Sequence, residues 1–245
     1  MQKKLDQIRD KIDKIDKKII CQLEGRMDLV KEVSKLKQEN LNICFIKAKR
    51  EAEMVKNLIT STDKISGVTI FQIWRQIISL SLQTEREFEV NFYSSNIDND
   101  NNIRIIREYF SALTKINKYD NKSLLKNTQK AEDVIILDKK DNEQYEFLLK
   151  NQDFKIFARL PDIDPSKNYQ SSLNAIAKLD VNVDDFENII ILSSQKIGEE
   201  CLKSCCKINI AKQKFCIYEL TKNQYKKLKN KYEIKLIGGF TEVFT

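Results

Sequence analysis

Apolar residues in the first forty positions recur at helical spacing. Steps of four and three from Leu5 run through Arg9, Ile12, Asp16, Ile19, Leu23, Arg26, Val30, Val33 and Lys37, positions that a helix places on one face. Residues 3–39 hold no proline and only one glycine, Gly25, so the pattern predicts a single helix of about 35 residues, about 50 Å long. One small domain cannot cover such a rod, and a partner chain is expected along it. Residues 38–46 break the pattern. A second helix is expected at 47–60, a turn from Ser61 to Gly67, and a third helix at 69–88.

After Phe88 the texture changes. Residues 89–93 alternate as a strand does, and Asn96 to Asn102 is a polar Asn/Asp-rich linker. Strands are expected at Val134–Leu137, Lys155–Arg159, Leu173–Ala177 and Ile189–Leu192. Helices are expected at Ile103–Ile116, Gln144–Leu149, Gly198–Cys206 and Asn223–Tyr232. Adding Ile208–Ala211, Phe215–Glu219 and Ile234–Phe244 as strands gives residues 188–244 a β-α-β-β-α-β order, that of a ferredoxin-like unit. The expected architecture is multidomain, with an all-α three-helix domain at 1–90 and an α+β domain at 91–245.

Composition narrows the chemistry. Two domains suit 245 residues, and five glycines with two prolines argue against an all-β chain or a fold built on glycine-rich nucleotide turns. The net charge of +7 is spread along the chain, which speaks against nucleic acid and for a small anionic ligand. Histidine is absent, so Ser-His or Cys-His nucleophiles, imidazole acid–base catalysis and histidine metal ligands are excluded. Cysteines 21, 44, 201, 205, 206 and 216 show no CxxC spacing and are expected to be buried reduced thiols, with no metal. The charged start and the lack of a bilayer-length apolar run predict a soluble cytoplasmic protein with no membrane association.

The chemical signal is charge on the wrong face. Six of the ten positions on the first-helix seam are aliphatic, yet Arg9, Arg26 and Lys37 interrupt it with positive charge and Asp16 with negative. A long side chain reaching the rim of a core, or a pair with Asp16, would explain one such cation. Three on one seam point to an anion bound within the bundle, because burying unpaired charge costs several kcal/mol. The third helix behaves likewise: Ile70, Trp74, Ile77, Ser81, Glu85 and Phe88 form a stripe in which Ser81 and Glu85 lie one turn apart. The second helix opens with Lys47, Lys49, Arg50 and Glu51 ahead of the packing residues Met54 and Leu58.

Residues 5–88 resemble the all-helical chorismate mutase family. The resemblance rests on the run from Leu5 to Asp16 (LDQIRDKIDKID), Gly25-Arg26 followed by Val33-Ser34-Lys35-Leu36-Lys37, Lys49-Arg50-Glu51-Ala52-Glu53, and the run from Ile77 to Glu85 (IISLSLQTE). It implies an interlocked homodimer in which long first helices pair, and rearrangement of chorismate to prephenate in phenylalanine and tyrosine biosynthesis without a cofactor. By position, Arg9 resembles the arginine donated across the dimer to a substrate carboxylate, and Arg26 the same-chain cation, assisted by Arg50 and Ser81. Lys37 resembles the donor to the ether oxygen, and Glu51 the acceptor from the ring hydroxyl. Some members carry glutamine where Glu85 stands. A carboxylic acid donates there only when protonated, so activity is expected to fall above neutral pH and Glu85→Gln to flatten the profile. Lys47 stands where the family often has aspartate.

Mutases of this family are often fused to a prephenate dehydrogenase or dehydratase. The first is excluded because no glycine-rich dinucleotide turn occurs. The second lacks its Thr-Arg-Phe signature, for which Phe157-Ala158-Arg159-Leu160-Pro161 is the nearest echo. The region resembles the C-terminal extension of some bacterial mutases, and 188–245 has the order of an ACT-type regulatory module. Gly238-Gly239 is either a turn that approaches a ligand or a bend in a strand. Two other functions fit the same scaffold, an isochorismate-pyruvate lyase and a non-catalytic dimerisation or regulatory protein.

Overall fold

The computed structural model describes residues 2–39, 46–96, 100–127, 133–161, 173–198, 204–210 and 213–244. Three helices come first: α1 (Gln2–Glu39), α2 (Ala48–Thr60) and α3 (Gly67–Glu85). Then follow β1 (Val90–Tyr93), α4 (Asp100–Phe110), β2 (Ile116–Tyr119), β3 (Val134–Asp138), α5 (Glu143–Lys150), β4 (Phe154–Leu160), β5 (Leu173–Lys178) and β6 (Asn188–Ser193). The chain closes with β7 (Ser204–Ile210), β8 (Gln213–Thr221), α6 (Lys222–Leu228) and β9 (Ile234–Phe240). All nine strands form one sheet in the order β2-β1-β3-β5-β4-β9-β6-β8-β7. Helices followed by a strand-rich α+β region are what the hydrophobic pattern predicts.

The sheet has two halves. In the first, β1 runs parallel to both β2 and β3, a pairing that requires crossover connections such as α4. In the second, β6 lies between β9 and β8, with β7 beyond β8, and every neighbouring pair is antiparallel. That is the strand order of a ferredoxin-like unit. The halves meet where β4 runs parallel to β9 at Ile156 and Gly238. Gly238 has φ +138°, and a Cβ there would lie 2.1 Å from the carbonyl oxygen of Ile156. The glycine thus serves the close approach of two strands. Arg159, the arginine of the dehydratase echo, pairs with Glu219 of β8 at 2.5 Å and lies 4.4 Å from the centre of the Phe240 ring.

Helices α2 and α3 do not stand apart from the sheet. Val55 of α2 and Phe71, Ile78 and Leu82 of α3 share one core with Phe92 of β1, Ile106 and Phe110 of α4, and Phe157 of β4. On the opposite face of the sheet, Tyr145, Phe147 and Leu148 of α5 pack against Tyr93, Ile135 and Ile176. Lys56 of α2 reaches Glu187, just before β6, at 3.0 Å.

Several expectations are corrected. The third helix starts at Gly67, because the Ser66 side chain caps the Thr69 N–H at 3.1 Å. It stops at Glu85, since Arg86 is extended, and Phe88 is buried outside it. Helix α4 begins within the expected linker and ends at Phe110, where Ser111 takes φ +80°. Ile116, expected to close that helix, instead opens β2, a strand of only four residues that the pattern missed. Of the helix expected at Gly198–Cys206, the last three residues belong to β7, and 199–203 lie outside the described residues. Cys216 is half-buried, but Cys21 is an exposed free thiol on α1; Cys44 and Cys201 lie outside the described residues. No helix among the described residues is long and apolar enough to cross a membrane.

Candidate active site

Three hydrogen bonds fix α1 against α3. The C-terminal carbonyls of a helix lack intrahelical partners, and the buried Ser34 hydroxyl of α1 donates to the carbonyl oxygen of Glu85 at 3.0 Å. Two turns earlier on α1, the guanidinium of Arg26 donates to Ser81 Oγ. Beyond Ser34, Lys37 Nζ meets Glu85 Oε2 at 2.5 Å, with side chains only 17% and 12% exposed. Arg26 and Lys37 are eleven residues apart, just over three full turns, so they share a face. Ser81 and Glu85, one turn apart on α3, oppose them.

These groups line a cleft of about 510 Å³ between α1, α2 and α3. Arg50 and Glu51 from the first turn of α2 complete the polar wall with Lys47, while Val30, Val33, Met54, Ile78 and Leu82 supply the apolar part. Six of the seven residues singled out in the sequence thus converge: Arg26, Lys37, Arg50, Glu51, Ser81 and Glu85. Arg9 does not. It is 62% exposed and pairs with Asp6 at 3.5 Å. Seventeen residues of helix, roughly 25 Å, separate it from Arg26.

The cleft is electropositive. Four cations (Arg26, Lys37, Lys47, Arg50) and two carboxylates (Glu51, Glu85) line it. Both carboxylates are already engaged, Glu85 by Lys37 and Glu51 by Arg75 at 2.9 Å. Among the described residues no ion pair engages Arg26, Lys47 or Arg50. Burial pushes the Arg26 guanidinium below its ordinary range, and the nearby charge of Glu85 opposes the shift. A half-buried cation hydrogen-bonded to a neutral hydroxyl is a site prepared for an anion. Lys37 donates to Glu85, so here Glu85 acts as acceptor.

Arg75 escaped the sequence reading, although the same signal was present. Phe71, Arg75, Ile78 and Leu82 are spaced by four, three and four on α3, so this second stripe also carries a cation among apolar residues. Arg75 is 3% exposed. The neighbouring stripe, which holds Ser81 and Glu85, is the more conspicuous of the two because it carries two polar residues.

Residues 8–86 match the family model for chorismate mutase type II, the span over which the cleft-forming helices lie. The helical region at 8–86 is therefore a chorismate mutase type II domain, followed by a strand-rich region outside the match. No curated protein and no solved structure matches the chain.

Proposed function

From the membership of residues 8–86 in the chorismate mutase type II family, we propose that this protein catalyses the rearrangement of chorismate to prephenate in aromatic amino-acid biosynthesis. One observation carries the reading: Arg26, Lys37, Arg50, Glu51, Ser81 and Glu85 line one cleft with an excess of positive charge. Chorismate is a dianion, and its rearrangement is pericyclic, needing neither nucleophile nor base. The carbon–oxygen bond breaks ahead of carbon–carbon bond formation, so negative charge grows on the ether oxygen. Catalysis consists in holding the compact conformer and meeting that charge with donors already in place.

In this reading Arg26, steadied by Ser81 and with Arg50 nearby, forks onto one carboxylate. Lys37 turns from Glu85 to the ether oxygen. Glu85, once protonated, donates to the same atom, and Glu51 accepts from the ring hydroxyl. The second carboxylate is left to a further cation, which the family resemblance gives to a second copy of the chain. Arg9 of a second copy supplies it, in a homodimer paired along α1. Supporting this, α1 leaves Leu5, Ile8, Ile12, Ile15, Ile19 and Ile20 exposed, more apolar surface than an unpartnered helix carries. The chemistry calls for no cofactor, and the proposed place of action is the cytoplasm.

Full-length protein incubated with chorismate is expected to consume its ultraviolet absorbance and yield prephenate. The same cleft fits isochorismate, so release of pyruvate from isochorismate without prephenate formation would replace the mutase with a lyase. Turnover of neither compound would leave the bundle a dimerisation platform.

A further inference from the structure

Glu51 sits where two parts of the molecule meet. It lines the cleft on one side. On the other side its Oε2 accepts from Arg75 Nη1 at 2.9 Å. Arg75 in turn donates through Nε and Nη2 to the carbonyl oxygen of Tyr109, at 3.4 and 3.3 Å. Its guanidinium carbon lies 3.7 Å from the centre of the Tyr109 ring. Tyr109 belongs to α4, the crossover between β1 and β2. The chain of contacts runs from cleft carboxylate through buried arginine to a helix that lies beyond the family match.

A carboxylate at the start of a helix beside a solvent-open cleft has several rotamers of similar energy. A planar guanidinium fixed at a carbonyl and over a ring holds its Nη1 donors in fixed directions. Arg75 therefore selects one orientation of Glu51 by holding its Oε2, at the wall of the cleft that Glu51 lines. Lysine could not serve equally, because one ammonium cannot hold carboxylate and carbonyl in a fixed fork.

We propose that Arg75 is a positioning residue for the mutase site, holding Glu51 in the orientation that accepts the substrate ring hydroxyl, and that Tyr109 makes the sheet region part of the site's scaffold. The inference rests on the proposed mutase reaction. It is tested with the full chain, chorismate as probe, and a double-mutant cycle. Arg75→Met is expected to lower kcat/KM by about tenfold or more in the wild-type background but by less than about twofold in Glu51→Gln. Tyr109→Leu removes the ring and keeps the carbonyl, and should show the same dependence on Glu51 with a smaller loss. Should Arg75→Met fail to fold, Arg75→Lys keeps the charge without the fork and is expected to lose several-fold, again only when Glu51 is present. A wild type without turnover overturns the mutase reading and this inference together. An active wild type in which the losses at 75 and 51 simply multiply overturns the inference alone.

Discussion

At the scale of single residues, the cleft is a set of charges awaiting redistribution. Arg26 carries a desolvation cost that the nearby charge of Glu85 only partly offsets. Removing it should leave the fold intact, since its hydrogen bond to Ser81 is one of three that fix α1 on α3. Arg26→Ala is therefore expected to keep the wild-type circular dichroism spectrum while losing about a hundredfold or more in kcat/KM, the usual cost of deleting a preorganised charge. Near-wild-type turnover would remove Arg26 from the mechanism. Glu85 is held as an acceptor by Lys37, whereas the proposed reaction calls for a donor at this position. Glu85→Gln, whose amide can donate to the ether oxygen, is expected to keep kcat within about tenfold of wild type or raise it, while Glu85→Leu, which has no donor, is expected to lose about a hundredfold or more. Equal kcat values for the two variants would exclude this role. Asp141 makes a separate case in the sheet region. Burial, with Asp138 and Glu143 adding to it, raises its carboxyl to about 6. The folded state then binds this proton more tightly than the unfolded chain, so stability is lost as pH rises from about 4 through about 6. Asp141→Asn should accordingly raise the melting temperature at pH 7.5 and give little gain at pH 4, and equal gains at both would contradict the assignment.

At the scale of elements, the sequence was most readable where a periodic pattern and its reason coincided. The stripe Arg26, Val30, Val33, Lys37 predicted a helix face that must meet something charged, and α1 places it over Ser81 and Glu85. Val134–Leu137 within β3 and Ile189–Leu192 within β6 are unbroken apolar runs that a buried sheet demands. Elements set by tertiary contact were harder to read. Ile116–Tyr119 has no alternation to announce it and is a strand because β1 offers a parallel edge. Arg75 was hidden by its neighbours on α3, since its partner Tyr109 lies 34 residues away in a different element. The β4–β9 contact is legible only as the pair Gly238-Gly239, a ligand-approaching turn or a strand bend on the sequence alone. Gly238 now has its reason, and a consequence. Gly238→Ala would push a Cβ into the Ile156 backbone at a left-handed φ, costing on the order of 2–4 kcal/mol. A chemical denaturation midpoint unchanged by the substitution would show that the two halves of the sheet are not joined there.

At the scale of the whole molecule, the unexplained object is the free length of α1. Arg9 and the exposed isoleucines occupy its N-terminal half, while Arg26, Ser34 and Lys37, which hold α3, occupy the rest. A helix built this way is half domain and half arm. If the arm of each chain lies over the cleft of the other, a complete site contains Arg26 from one chain and Arg9 from its partner. Arg9→Ala and Arg26→Ala homodimers should then each be inactive, for different reasons. When the two variants are unfolded together and refolded as an equal mixture, half the dimers are mixed. Each mixed dimer holds one site with both arginines and one with neither. Activity should return to about a quarter of that of an equal amount of wild type, as two-fold symmetry with a shared site requires. A cleft completed within one chain would give no recovery, because every site would still lack one arginine.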